Sequence, residues 1–267
     1  MPGLLTIAGN RFDGWRVDLP DLGGARRGGN SDMNVVSIMA HQDDEMGCLG
    51  TMLKCLARGD QLHFVTLTDG SKGFVQDPGI AQAEAARIRH EEMNSLASAV
   101  GATYKSLAQP DEFLYDTAEL RMMLIEAIRS RRTDLVFTHF NEDYNQDHVT
   151  VCMLVRHCAM QSCLPVLPTE SPPLAEHPAV FMVEPHGPFA FVPTHYVDIS
   201  DVEDQKAALL RSHASQEEAM KAAVGTGLGQ YCAIMSRFRG QQVGCAHAEA
   251  LVAMQARGAV KARSVLP

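Results

Sequence analysis

Short apolar runs alternate along the chain with longer segments whose apolar positions recur every three to four residues. Residues 34–40 (NVVSIMA) form the first run and read as a buried strand. Residues 46–58 follow as a helix, with Met46, Leu49, Leu53 and Leu56 on one face and Gly59 as its stop. A second strand occupies 61–68 and closes on Asp69-Gly70. A helix spans 82–100, striped by Ala85, Ile88, Leu96 and Ala99 and ended by Gly101. A short strand lies near 104–107. Asp116-Thr117-Ala118-Glu119 reads as a capping box for a helix striped by Leu120, Met123, Leu124, Ala127 and Ile128. Another buried strand (134–139, DLVFTH) and another helix (149–160) come next. A proline-rich loop spans 162–178, and strands are expected at 179–183 and 195–199. A second capping box, Ser200-Asp201-Val202-Glu203, predicts a helix to about residue 223. The glycines at 225, 227 and 229 read as a loop, and 246–256 as a C-terminal helix.

Strands alternating with helices imply parallel βαβ units. The expected fold is therefore α/β: a single Rossmann-like domain over residues 34–267, with a mostly parallel sheet flanked by helices. Residues 1–33, rich in Gly, Asp and Arg, read as an irregular N-terminal arm.

Composition narrows the function. A net charge of −9 argues against a nucleic-acid partner. No run approaches the roughly 18 apolar residues that span a bilayer, and the N-terminus does not read as a secretory signal. Seven cysteines without a CxxC fit core filling in a reducing compartment, so a cytoplasmic protein is the default expectation. A homo-oligomer is compatible with the composition.

The chemistry concentrates at two strand ends. Ala40-His41-Gln42-Asp43-Asp44-Glu45 begins where the first buried strand stops, a place where open α/β sheets bind ligands. Three successive acids there need either a helix N-terminus or a cation to offset their repulsion, and this cluster alone leaves both readings open. The second cluster, His139 to His148, also begins at the end of a buried strand and leads into a helix. Two such ends in one parallel sheet converge in space. His41, Asp44 and His148 then form a His2Asp set suited to a catalytic zinc, one per chain, or to another divalent ion such as Fe2+. Asp43, beside a ligand but pointing elsewhere, is left as a general base.

These motifs resemble the PIG-L/LmbE family of zinc-dependent N-deacetylases. AHQDDE (40–45) is similar to the family's first motif, and NQDH (145–148) to its second. Thr68-Asp69-Gly70, Ile88-Arg89-His90-Glu91-Glu92, Gln109-Pro110-Asp111, His213-Ala214-Ser215-Gln216 and His247-Ala248-Glu249-Ala250 follow in the family's order, so the resemblance covers about 34–250. It implies removal of an N-acetyl group from an amino sugar or N-acetylglucosaminyl conjugate. His41, Asp44 and His148 would hold zinc, and Asp43 would activate its water.

Two positions depart from the family pattern. Gln42 stands where a proline is usual, and Asn145 where a histidine is usual. Asn145 can donate a hydrogen bond but cannot deliver a proton. Asp43 is therefore expected to make both proton transfers, with His139 and then Asp143 as substitutes and Tyr144 as a further oxyanion donor. Arg89 is expected to pair with Glu92 or to contact substrate. Asp111 reads as a sugar-hydroxyl contact or a turn residue, and His213 as a core histidine or a residue supporting the site and its substrate. His186 stands in no motif and is set aside as incidental. The alternative functions are an amidase for another small acylated amine or thiol conjugate, and a catalytically silent metal-containing sugar-binding protein. No G-x-G-x-x-G follows the first strand, which disfavours a dinucleotide site.

Overall fold

The computed structural model describes residues 32–187, 190–255 and 265–267. Nearly all of the expected N-terminal arm, residues 1–31, lies outside the described residues. The first half alternates as expected: β1 (Asn34–Met39), α1 (Leu49–Ala57), β2 (Gln61–Thr68), α2 (Gln82–Ala99), β3 (Thr103–Gln109), α3 (Ala118–Ser130), β4 (Leu135–Thr138), α4 (Gln146–Gln161) and β5 (Ala179–Val183). The second half contains β6 (His195–Asp198), α5 (Glu203–Leu210), α6 (Ala214–Val224), α7 (Leu228–Val243) and β7 (Ala248–Ala253).

The seven strands form one sheet in the order β3-β2-β1-β4-β5-β7-β6. β1 to β5 run parallel, and β7 enters antiparallel between β5 and β6. β1 is apolar nearly throughout because both of its faces are covered. Val35 joins one core with Leu49, Met52 and Leu96, while Val36 and Ile38 join the other with Leu124 and Val155. The strand order runs outward in opposite directions from β1 and β4. The crevice beyond their carboxyl ends is thus the topological switch point, where doubly wound sheets bind ligands.

Several sequence expectations are corrected. The helix expected at 246–256 does not form over its described residues, 246–255: Gly244, at φ 80°, ends α7, and residues 248–253 (AEALVA) pair with two strands instead. Its alternation of small and apolar residues suits either state locally, and strand pairing decides it. Residues 225–229 are not simply a loop. Gly225 ends α6 with φ 75°, and Gly227 immediately precedes the sixteen-residue α7, which has no counterpart among the expected elements. The helix predicted to 223 breaks at 211–213. There His213 turns inward to Glu45, and the Glu92 carboxylate accepts hydrogen bonds from Ser215 N and Oγ at the start of α6.

Neither capping box forms as read. Thr117 alone caps α3 by accepting from Leu120 N, while Ser200 hydrogen-bonds Asp198 and Glu203 is already helical. On α2 the buried face carries Ala85, Arg89, Met93 and Leu96 in place of Ile88. Met123, placed on an apolar stripe, is 40% exposed.

Candidate metal centre

The first cluster sits on a strained turn. Asp43 has φ 118° and leads into a short 3-10 turn, Asp44–Gly47. A non-glycine residue there is costly unless its surroundings fix it. Glu45 does so: one carboxylate oxygen accepts from Asp43 N at 3.1 Å, and the other meets His213 Nε2 at 2.7 Å. Beneath the turn, Gln42 Nε2 donates to Thr68 O and the Tyr104 hydroxyl, so this buried amide ties the turn to β2 and β3. Gly70, at φ 64°, is obligatory beside it, because a Cβ there would lie 2.1 Å from Gln42 Oε1.

The second cluster starts at the end of β4. Asn145 Oδ1 accepts from Asp147 N and so caps α4, which begins early enough to place His148 in its first turn. His41, Asp44 and His148 then converge. His41 Nδ1 lies 3.2 Å from both Asp44 Oδ2 and His148 Nε2, and His148 Nε2 lies 3.4 Å from Asp44 Oδ1. These separations match the edge of about 3.3 Å that a tetrahedral site with ligand distances of about 2.0–2.1 Å requires.

The far ring nitrogens are also occupied. His41 Nε2 lies 3.0 Å from Asp111 Oδ1, and His148 Nδ1 lies 3.0 Å from Asp143 Oδ2. Carboxylates behind both imidazoles hold the protons outward, so that the two lone pairs face one point. A cation is the species that reconciles two imidazole lone pairs and a carboxylate meeting there, so the donor set fits a divalent metal.

Asp44 is the electrostatic centre of the cluster. Burial works to raise the Asp44 carboxyl, but His148, His139 and His41 around it bring it well below the ordinary carboxylate range. Burial opposes charge on His148, yet Asp44 and Asp143 carry it up to about 9. Asp43 is raised, first by burial, against the pull of Arg89.

The cleft over this cluster has a volume of about 720 Å³. His41, Asp43, Asp44, His148, Tyr144, Asn145, Arg89 and Asp111 all line it. Arg89 Nη2 donates to Asp43 Oδ1 at 2.7 Å and to Gln42 O, so the expected Arg89–Glu92 pair gives way to a clamp on Asp43. Asp111 is buried and turned onto His41, with Oδ2 accepting from Lys72 N, which places it as an orienting carboxylate at the border of the cleft.

His213 is fully buried and outside the cleft lining, so its place is behind Glu45, and the expectation of substrate contact is corrected. His139 is likewise buried. Its Nε2 accepts from Ala40 N, and burial with the neighbouring His148 pushes it down to about 4, so it stays neutral and is a poor proton donor. Asp143 is turned onto His148 and plays the same orienting part as Asp111. Tyr144 is 68% exposed, its ring edge-on to His148, and burial of its hydroxyl with Asp44 nearby raises it above the ordinary tyrosine range, so it remains a donor.

Sequence reasoning missed His186. It follows β5, lines the same cleft, and lies 5.0 Å from the Tyr231 ring, while burial keeps it below the ordinary histidine range. Its position after the end of a parallel strand was the available signal.

Residues 36–159 match the family model described as PIG-L: GlcNAc-PI de-N-acetylase. The chain is 28% identical over 198 residues to the diacetylchitobiose deacetylase of Thermococcus kodakarensis, spanning 70% of this chain and 71% of that protein. In structure it is similar to the N,N'-diacetylchitobiose deacetylase of Pyrococcus horikoshii, with a TM-score of 0.71, 23% identity and 83% of each chain covered. It is equally similar in fold to the 4-carboxy-2-hydroxymuconate hydratase of Pseudomonas putida, with a TM-score of 0.74, 21% identity, and 86% of this chain and all of that one covered. Among the described residues no helix is long and apolar enough to cross a membrane. Both motifs thus assemble at one switch point under an LmbE-like fold, and the segment that carries them, residues 36–159, is similar to the PIG-L family.

Proposed function

We propose that the chain is a zinc-dependent hydrolase that removes the acetyl group from an N-acetylated amino sugar or glycoconjugate, acting in the cytoplasm on a small-molecule substrate. The observation that carries this reading is the meeting of His41, Asp44 and His148 in one cleft, with the Asp43 carboxylate beside them. The diacetylchitobiose deacetylase relationship supports the acetamide as the bond attacked.

A divalent cation bound by these three residues supplies Lewis-acid polarisation and a water whose pKa is lowered to about 7. The remaining work belongs to the chain. Arg89 fixes one oxygen of Asp43, leaving the other to accept a proton from the attacking water. The Tyr144 hydroxyl and the Asn145 amide line the cleft as hydrogen-bond donors for the negative charge that develops on the acetyl oxygen. Asn145 cannot protonate the departing amine, and His139 is buried away from the cleft, so Asp43 returns the proton it took.

Metal content and acetate release, measured together on the wild type and Asp43→Ala with a panel of N-acetylglucosamine derivatives, test this. About one zinc per chain in both proteins and acetate from the wild type alone is the expected result. Bound metal with no acetate from either protein favours the silent sugar-binding alternative. Failure of any divalent ion to load refutes the ligand assignment.

A further inference from the structure

The cleft has two unlike parts. Its charged lining residues come from the strand-end loops and α2, including Lys72, Arg89 and Glu112. α6 and α7 contribute none among the described residues. They present Met220, Ala223, Val224, Tyr231 and Ile234, joined by Val75 from the segment after β2. The spacings 220, 223, 224 and 231, 234 each keep to one helix face. Val75 and Val224 are each 64% exposed and Ile234 is 55% exposed. Large aliphatic side chains left open to water along one groove mark a ligand surface. Room is ample: about 150 Å³ encloses one six-membered ring such as benzene, against about 720 Å³ for the whole cleft. A sugar ring and its acetamide over the metal donors therefore leave the α6–α7 side unfilled.

We propose that this arm binds an apolar substituent of the substrate, an aliphatic or aryl group carried by the acetylated amino sugar. The inference rests on the function proposed above. The apolar residues line the same cavity as the metal donors, which favours a part of the substrate over a lipid surface. It makes the natural substrate an amphiphile whose polar, acetylated end reaches the strand termini.

The test compares the methyl and n-hexyl glycosides of N-acetylglucosamine on the full zinc-loaded chain. Affinity is read by calorimetry and kcat/KM by acetate release, for the wild type, Val224→Asn and Ile234→Asn. Full burial of a methylene is worth about fourfold, and a wall open on one side about half that, so the hexyl glycoside should bind at least about tenfold more tightly. The hexyl-to-methyl affinity ratio should fall at least about fivefold in each variant. Both positions are exposed, so melting curves should stay within about 2 °C of the wild type. A wild-type ratio near one, or a high ratio unchanged in folded variants, overturns the arm. Tight, variant-sensitive hexyl binding without acetate from either glycoside upholds the arm and refutes the deacetylase reading instead.

Discussion

Lys206 and Glu249 form a buried ion pair behind the active-site turn, and replacing Lys206 with methionine isolates what it does. Lys206 Nζ lies 2.8 Å from Glu249 Oε1, with both side chains about 3% exposed. Burial opposes the ammonium charge, but Glu249 holds it above the ordinary lysine range. The carboxylate also accepts from Gly50 N at 2.8 Å, Thr51 N at 2.7 Å and Thr51 Oγ1 at 2.6 Å, so it caps α1 from across the fold. Lys206→Met leaves that carboxylate buried without a counter-charge, a change that typically costs about 3–5 kcal/mol. The three surviving donors and the helix N-terminus place the expected loss near the lower bound, about 3 kcal/mol. For a chain of this size that lowers the melting midpoint by about 6–12 °C. Urea unfolding followed by far-ultraviolet circular dichroism measures it. Glu249→Gln in the Lys206→Met background removes the stranded charge, so the double variant should be more stable than Lys206→Met alone. A single-variant loss below about 1 kcal/mol, or a double variant no better than the single, refutes the reasoning.

Two further outcomes are expected. Asp143→Asn weakens the partner behind His148 and should lower zinc affinity about 10- to 100-fold in chelator competition, whereas unchanged affinity would mean that Asp143 does not orient the ligand. His63, held down to about 4 by burial and then by Arg131, stays neutral in the fold, while the unfolded chain takes up a proton near 6.5. The unfolded state thus binds more protons between those values, so stability falls as pH drops through that window. His63→Gln should flatten the difference in denaturation midpoint between pH 7 and pH 5, and an equal drop in both proteins would contradict this.

How legible the site was depended on whether a residue acts through its neighbours in sequence or through distant ones. His41, Asp44 and His148 could be read because each sits where a buried apolar run ends, and parallel strand ends converge. The orienting roles of Asp111, Asp143 and Glu45 could not, since each depends on which ring nitrogen it meets after folding. Arg89 was placed on the right helix but paired with Glu92 along it, when the burial of Asp43 offered a stronger partner across the cleft. The C-terminal region misled for another reason. The polar helix α7 lacks a clean apolar stripe because Arg239 reaches Glu184 from it, and residues 248–253 carry a buried Glu249 where a strand core is normally apolar. Both departures arise from charges used far from their own elements.

The position of β7 in the sheet has a consequence for synthesis. The metal donors all lie between residues 41 and 148, so they leave the ribosome well before Glu249. The strand that caps α1, β7, follows all the others among the described residues, and it must slip between β5 and β6 to complete the sheet. At about 5–20 residues per second, Glu249 emerges roughly 10–40 s after Asp44. During that interval α1 exists without its cap and β5 presents an open edge. The nascent chain is thus exposed to mispairing at that edge until β7 arrives.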